Sequence, residues 1–216
     1  MKNTTIHEIN LLVNRYPSLE PLKNQLFESV RIILDSYQHG GKILTCGNGG
    51  SAADSLHMVG ELMKSFVLAR KLPEELQEKL RNNYPEVADY YIKNLQGAAP
   101  AISLVSETAL ITAYSNDNAP TLAFAQQVLG YGRAGDVLIA ISTSGNSDNV
   151  IHAARIAKAI GVKVVSLTGK GGGKLAEFSD VLLDVPAKVT YQIQELHLPI
   201  YHAICLAVEQ ELFGEK

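Results

Sequence analysis

Tryptophan is absent from this 216-residue chain, cysteine occurs twice, aromatic residues make up 6% and neither sign of charge dominates. Each shortage excludes something. Cys46 and Cys205 stand far apart in apolar surroundings and provide neither a disulfide framework nor a zinc ribbon. Nineteen Lys plus Arg against 22 Asp plus Glu leave a net charge of −3, without the basic footprint of a nucleic-acid binder. No apolar run approaches the roughly 20 residues needed to span a bilayer. The opening Met1-Lys2-Asn3-Thr4-Thr5 leads into a mixed segment with Glu8 and Arg15, which is no signal-peptide core. What the chain does have is 46% hydrophobic residues against 19% charged, too apolar for disorder and enough to fill the core of one domain. The expectation is a soluble cytoplasmic α/β protein.

Leu19, Leu22, Leu26, Val30, Ile33 and Leu34 recur at threes and fours, which predicts an amphipathic helix over 18–39, ended by Gly40-Gly41. A short apolar run at 42–46 reads as a buried strand, followed by a glycine loop at 47–51 and a helix over 52–69. The alternation continues with a strand at 101–104 and helices over 106–114 and 119–130. A strand at 136–141 precedes a loop at 142–147 and a helix over 148–160. Strands at 162–167 and 181–185 flank a loop at 168–173 and a short helix, and a long helix over 189–213 closes the chain. This pattern predicts a three-layer αβα sandwich around a parallel sheet, with long N- and C-terminal helices, as a single domain over 1–216. Residues 71–98 break the rhythm with clustered charge and two prolines. Leu76, Leu80, Val87, Tyr90, Tyr91 and Leu95 suggest two short helices inserted there.

In such folds ligands sit beyond the carboxyl ends of the strands, which directs attention to the loops after Cys46, Ile141 and Leu167. Ser142-Thr143-Ser144-Gly145-Asn146-Ser147 puts four hydroxyls and a glycine at a helix start. Outward N–H groups, the helix dipole and hydroxyl donors together suit an anion. No lysine follows as in a nucleoside-triphosphate loop. A single helix cap uses fewer hydroxyls than these four. Gly47-Asn48-Gly49-Gly50-Ser51 is a second such loop, but Ala52 breaks the dinucleotide glycine spacing. Two loops of this kind at adjacent strand ends suit a compact phosphorylated ligand.

His57 and Glu61, four residues apart, share a helix face. Gln194 and His202, eight apart on the last helix, are separated by about 80° around it, and Pro199 between them removes a backbone bond. Two imidazoles, a carboxylate and an amide can bind a divalent ion such as zinc, or can move protons between sugar carbons without a metal. Glu195, Glu209 and Glu211 read as surface charges, and His197 as a packing or supporting residue.

The ordered set Cys46 through Ser51, Asp54, His57 and Glu61, Asn116-Asp117, Gly135 through Leu138, Ile141 through Ser147, Leu167 through Lys170, Gly172 through Lys174, and Gln194 through His202 resembles the sugar isomerase (SIS) fold. Within it the chain is most similar to the sedoheptulose-7-phosphate isomerase (phosphoheptose isomerase) family. The resemblance implies a homotetramer with active sites between subunits. It also implies conversion of D-sedoheptulose 7-phosphate to D-glycero-D-manno-heptose 7-phosphate for activated-heptose synthesis. By position, Asn48, Gly49 and Gly50 would line the sugar, and Ser51, Ser142, Ser144 and Ser147 would hold the phosphate. Thr143, Asn116 and Asp117 would contact substrate. His57, Glu61, Gln194 and His202 match the family's zinc ligands, one ion per subunit; Gln194 and Glu61 would also meet substrate. Glu61 and His202 match its acid–base pair. The chain departs from the family at Gly60, at Lys64-Ser65-Phe66 and at Tyr191, where an acidic residue is usual. Two further readings are an isomerase for another phosphosugar and a non-catalytic relative of the same fold that binds a replication initiator protein; His202 argues against the latter.

Overall fold

The computed structural model describes residues 1–215. The elements are α1 (Asn3–Arg15), α2 (Lys23–Gln38), β1 (Ile43–Cys46), α3 (Gly50–Met63), α4 (Glu74–Asn83), α5 (Ala88–Asn94), β2 (Ala101–Ser103), α6 (Thr108–Asp117), α7 (Ala123–Tyr131), β3 (Val137–Ser142), α8 (Asp148–Ala159), β4 (Lys163–Thr168), β5 (Val181–Asp184) and α9 (Thr190–Phe213). Short 3-10 turns occupy Pro17–Leu22, Pro120–Leu122 and Gly173–Phe178.

The five strands form one sheet in the order β2-β1-β3-β4-β5, and every pairing is parallel. Alternate residues of each strand face opposite layers. Val137, Ile139 and Ile141 meet α1, α2, α3 and α9 through Ile9, Leu26, Ile33, Met58 and Ile204. Leu138 and Ala140 meet α7 and α8 through Phe124, Val128, Val150 and Ala154. Burial on both faces explains why β3 is apolar along its whole length up to Ser142. The expected three-layer α/β architecture is therefore present. Among the described residues no helix is long and apolar enough to cross a membrane.

Several boundaries differ from the sequence reading. The helix expected from residue 18 begins at Lys23, after a 3-10 stretch containing Pro21. Proline has no N–H to give and its ring crowds the carbonyl four residues back. The helix expected to reach residue 69 stops at Met63, because the carbonyls of Glu61 and Leu62 accept bonds from the Arg70 side chain instead of continuing the ladder. Helix α1 was not anticipated, although Thr5, Ile9, Leu12 and Val13 make a regular buried stripe. Glu209 is not a surface charge: it is 1% exposed and paired with Arg70. Glu211 likewise accepts bonds from the Thr5 hydroxyl and the Lys2 backbone N–H, which ties α1 to α9. Segment 71–98 does hold two short helices; α4 buries no residue and α5 buries only Ala88.

Candidate active site

The chain runs from β1 outward to β2, then returns to place β3 on the other side of β1. Such a reversal opens a crevice at the carboxyl ends of the two central strands. The loops after β1 and β3 flank that crevice, and it is lined by Asn48, Gly49, Gly50, Ser51, Ile141, Ser142, Thr143, Ser147, Thr190 and Gln194. Helices α3 and α8 both start here. Neither start is capped by the side chain of its capping residue, although that residue in α8 is Ser147; Asn149 Oδ1 accepts the Val150 N–H at 3.0 Å. The Ser147 hydroxyl instead meets that of Ser142 at 2.9 Å. The hydroxyls are thus available to a ligand rather than spent on helix ends.

Backbone geometry explains the glycines. A Cβ on Gly50 would come within 2.5 Å of the Gln194 amide nitrogen. Gly145 has φ of +63°, and a Cβ there would overlap the Gly172 carbonyl of the loop after β4. Asn48 and Asn149 exchange reciprocal amide bonds of 2.9 Å and tie the two loops together. Among the described residues no cationic side chain lines the crevice, so an anion held there would rely on hydroxyls, N–H groups and helix dipoles.

Further along α3 a second cluster forms between α3 and α9. His57 Nε2 lies 3.1 Å from Glu61 Oε1, as their four-residue spacing implies, and His57 Nδ1 lies 3.0 Å from the Tyr201 hydroxyl. Tyr201 donates to Asp54 Oδ1 at 3.3 Å. The His202 ring stands nearly perpendicular to that of His57, with centroids 5.0 Å apart. Tyr201 and Phe66 meet the same ring at 4.9 and 5.4 Å. His202 Nε2 is buried and has no hydrogen-bond partner. Burial, then the neighbouring His57, lowers the pKa of His202, with Glu61 opposing the shift. Burial also raises that of Asp54, against the Tyr201 bond and His57.

This donor set is chemically suited to a divalent cation. With the Tyr201 hydroxyl donating to Asp54, its oxygen accepts from His57 Nδ1–H. Nε2 is then the ring nitrogen that faces the Glu61 carboxylate. A ring nitrogen and a carboxylate oxygen 3.1 Å apart can share a proton or a cation between them, and the unpartnered His202 nitrogen is a further ligand atom of the same cluster. Among the described residues no three His, Cys, Asp or Glu side chains already converge on a common point. Glu61 is divided between His57 and Lys64, whose ammonium lies 3.2 Å from Oε2.

The fold thus gathers His57, Glu61 and His202, and separately gathers Asn48 through Ser51, Ser142, Thr143 and Ser147. Gln194 belongs with the second group, its amide against Gly50. Ser144 is exposed, its hydroxyl accepting from the Asn146 N–H. Asn116 and Asp117 are exposed at the end of α6, bonded to each other at 2.9 Å and outside the crevice lining. Tyr201, Asp54, Arg70 and Glu209 were not given site roles from the sequence. For Tyr201 a signal existed, since it is adjacent to His202; for Arg70 none did.

A family profile described as the SIS domain matches residues 98–207, and a second SIS-domain profile matches residues 10–103. The phosphoheptose isomerase of Akkermansia muciniphila is 34% identical over 203 residues, 94% of each chain. That of Clostridium acetobutylicum is 40% identical over 192 residues, 89% of this chain and 85% of the other. The solved structure of the phosphoheptose isomerase from Neisseria gonorrhoeae matches with a TM-score of 0.73 at 34% identity, over 91% of both chains. With its sheet order, its hydroxyl-lined crevice and full-length similarity of this kind, the chain belongs to the phosphoheptose isomerase family of SIS-domain proteins.

Proposed function

We propose that this protein isomerises D-sedoheptulose 7-phosphate to D-glycero-D-manno-heptose 7-phosphate, for activated-heptose synthesis. The observation that carries the reading is that the same two helices, α3 and α9, supply residues to two unlike groups. An uncharged, hydroxyl-lined crevice at two helix starts suits the phosphate. About two to three turns further along α3 and α9, a carboxylate and an unpartnered imidazole belong to one cluster.

A ketose becomes an aldose when a proton leaves C1, an enediol forms, and a proton arrives at C2. Glu61, whose Oε1 is held by His57, takes the C1 proton and returns it to C2. His202, whose Nε2 has no partner, accepts the proton leaving the C1 oxygen and delivers it to the C2 oxygen. Tyr201 and Asp54 orient His57 from behind. His57, Glu61 and His202 would hold one zinc ion per subunit, which when bound would supply a Lewis acid for the sugar carbonyl, whereas Gln194, expected as a fourth ligand, lies with the crevice residues.

A homotetramer with shared active sites belongs to the same proposal. It is supported by α6, which buries no residue and ends at the exposed Asn116 and Asp117. Cytoplasmic residence fits the two buried, unpaired cysteines.

The test is NMR in D2O with sedoheptulose 7-phosphate, with and without added zinc. Appearance of the aldose phosphate bearing deuterium at C2, lost in His202→Ala, supports the reading. Absence of exchange under both metal conditions overturns it, and other ketose phosphates then report whether a different sugar is the substrate.

A further inference from the structure

Among the described residues, the most deeply buried ion pair lies outside the proposed chemistry. Arg70 and Glu209 have side chains 1% and 0% exposed. Arg70 Nε donates to Glu209 Oε1 at 2.8 Å, Nη1 to the Leu62 carbonyl at 2.6 Å and Nη2 to the Glu61 carbonyl at 2.9 Å. Glu209 also accepts from the backbone N–H groups of Phe66, Val67 and Leu68 at 2.8, 2.9 and 3.2 Å. Those bonds, more than its burial resists, hold the Glu209 carboxyl below its usual pKa.

Both partners are therefore fully bonded, and their bonds reach the two helices of the candidate site. The guanidinium ends α3 two residues beyond Glu61 and takes the carbonyl of Glu61 itself, a cation at the negative end of the helix dipole. Glu209 lies seven residues after His202 on α9, close to two full turns, so the two share a face. The carboxylate also fixes the backbone of Phe66, whose ring packs against that of His202 at 5.4 Å. Apolar residues often fill a buried space as stably as an ion pair does. What the charges add here is directional geometry.

We propose that Arg70 and Glu209 are positioning residues that set the placement of Glu61 relative to His202. The inference rests on the isomerase reading, in which these two groups carry the proton transfers. A shift of about 1 Å in such a pair can cost on the order of 100-fold in rate.

The experiment compares Arg70→Lys, which keeps the charge and loses the fork, with Glu209→Gln and Phe66→Leu in the full chain. It measures kcat, KM and the His202 ring resonances in histidine-labelled protein. For Arg70→Lys and Glu209→Gln, kcat is expected to fall about 10- to 100-fold, with KM within about three-fold of wild type and the His202 resonances moved. Phe66→Leu leaves the ion pair intact and is expected to lose about three- to ten-fold in kcat with the same resonance moved. Folded Arg70→Lys or Glu209→Gln protein with wild-type kcat, or with an unmoved His202 ring, overturns the proposal. If neither of those variants folds, the double variant Arg70→Met with Glu209→Met, which refills the buried space without charges, decides, and wild-type kcat there overturns the proposal. If the wild-type protein turns over no ketose phosphate, the isomerase reading falls, and the ring resonances decide alone whether the clamp stands.

Discussion

At the residue scale, two groups of one side-chain cluster between α3 and α9 divide the proposed work. The Glu61 carboxylate is 11% exposed and held by His57 and Lys64, whereas His202 keeps a free nitrogen. Glu61→Gln preserves size and hydrogen bonding but removes the base. It should reduce kcat by about 10²- to 10⁴-fold with little change in KM, read from deuterium incorporation at C2. His197, one turn before Tyr201, shows a different use of burial. It is fully enclosed, its Nε2 lies 3.2 Å from the Thr168 carbonyl, and burial drives its pKa down to about 4 against the opposing effect of that bond. Between pH 6.5 and 4 the unfolded chain takes up a proton that the folded protein refuses, so stability falls as pH drops through that window and is flat above it. The full loss is about 3 kcal/mol. Thermal melts across that range should show the decline, and His197→Gln, which keeps an N–H donor, should flatten it.

At the scale of elements, the start of α3 and the start of α9 are fitted to each other by the lack of a single methyl group. Gly50 leaves the room in which the Gln194 amide lies. Gly50→Ala puts an alanine in the first turn of a helix, which is no burden on stability. The amide must move, so KM should rise about three- to ten-fold, the worth of one displaced hydrogen bond, with melting temperature unchanged. Steady-state kinetics beside a thermal melt check both halves. The same helix shows what was legible in the sequence. His57 and Glu61 meet because four residues of α-helix bring them together, and that follows from local geometry alone. Gln194 and His202 looked like a similar pair. Eight residues, however, carry a side chain about 12 Å along the axis as well as around it. Gln194 accordingly serves the crevice while His202 serves the cluster with His57.

At the scale of the whole molecule, α6 presents Asn116 and Asp117 to solvent, and α4 buries nothing. If active sites are completed by neighbouring subunits, light scattering should give four times the monomer mass. Mixing two inactive proteins, His202→Ala and Asp117→Ala, through a dissociation step should then restore part of the activity. A monomer, or mixtures that stay inactive, would leave α6 without a part in the site. Closed point-group assembly makes such sharing geometrically natural, since each interface repeats.

Short-range features are readable from the residue pattern. Apolar strands between helical stripes, glycine–hydroxyl loops at strand ends and the His57–Glu61 pair all follow from backbone periodicities of two and 3.6 residues. Packing between the layers sets the strand order that brings the loops after β1 and β3 side by side. It also decided the placement of His202 against His57, and the burial of Arg70 with Glu209 where a charged residue near the end of an amphipathic helix reads as a surface group. The physical reason is that periodicity constrains which face of an element is buried. Which distant residue meets that face depends on how the layers pack, and a buried charge is recognisable only once its counter-ion has been brought to it from another part of the chain.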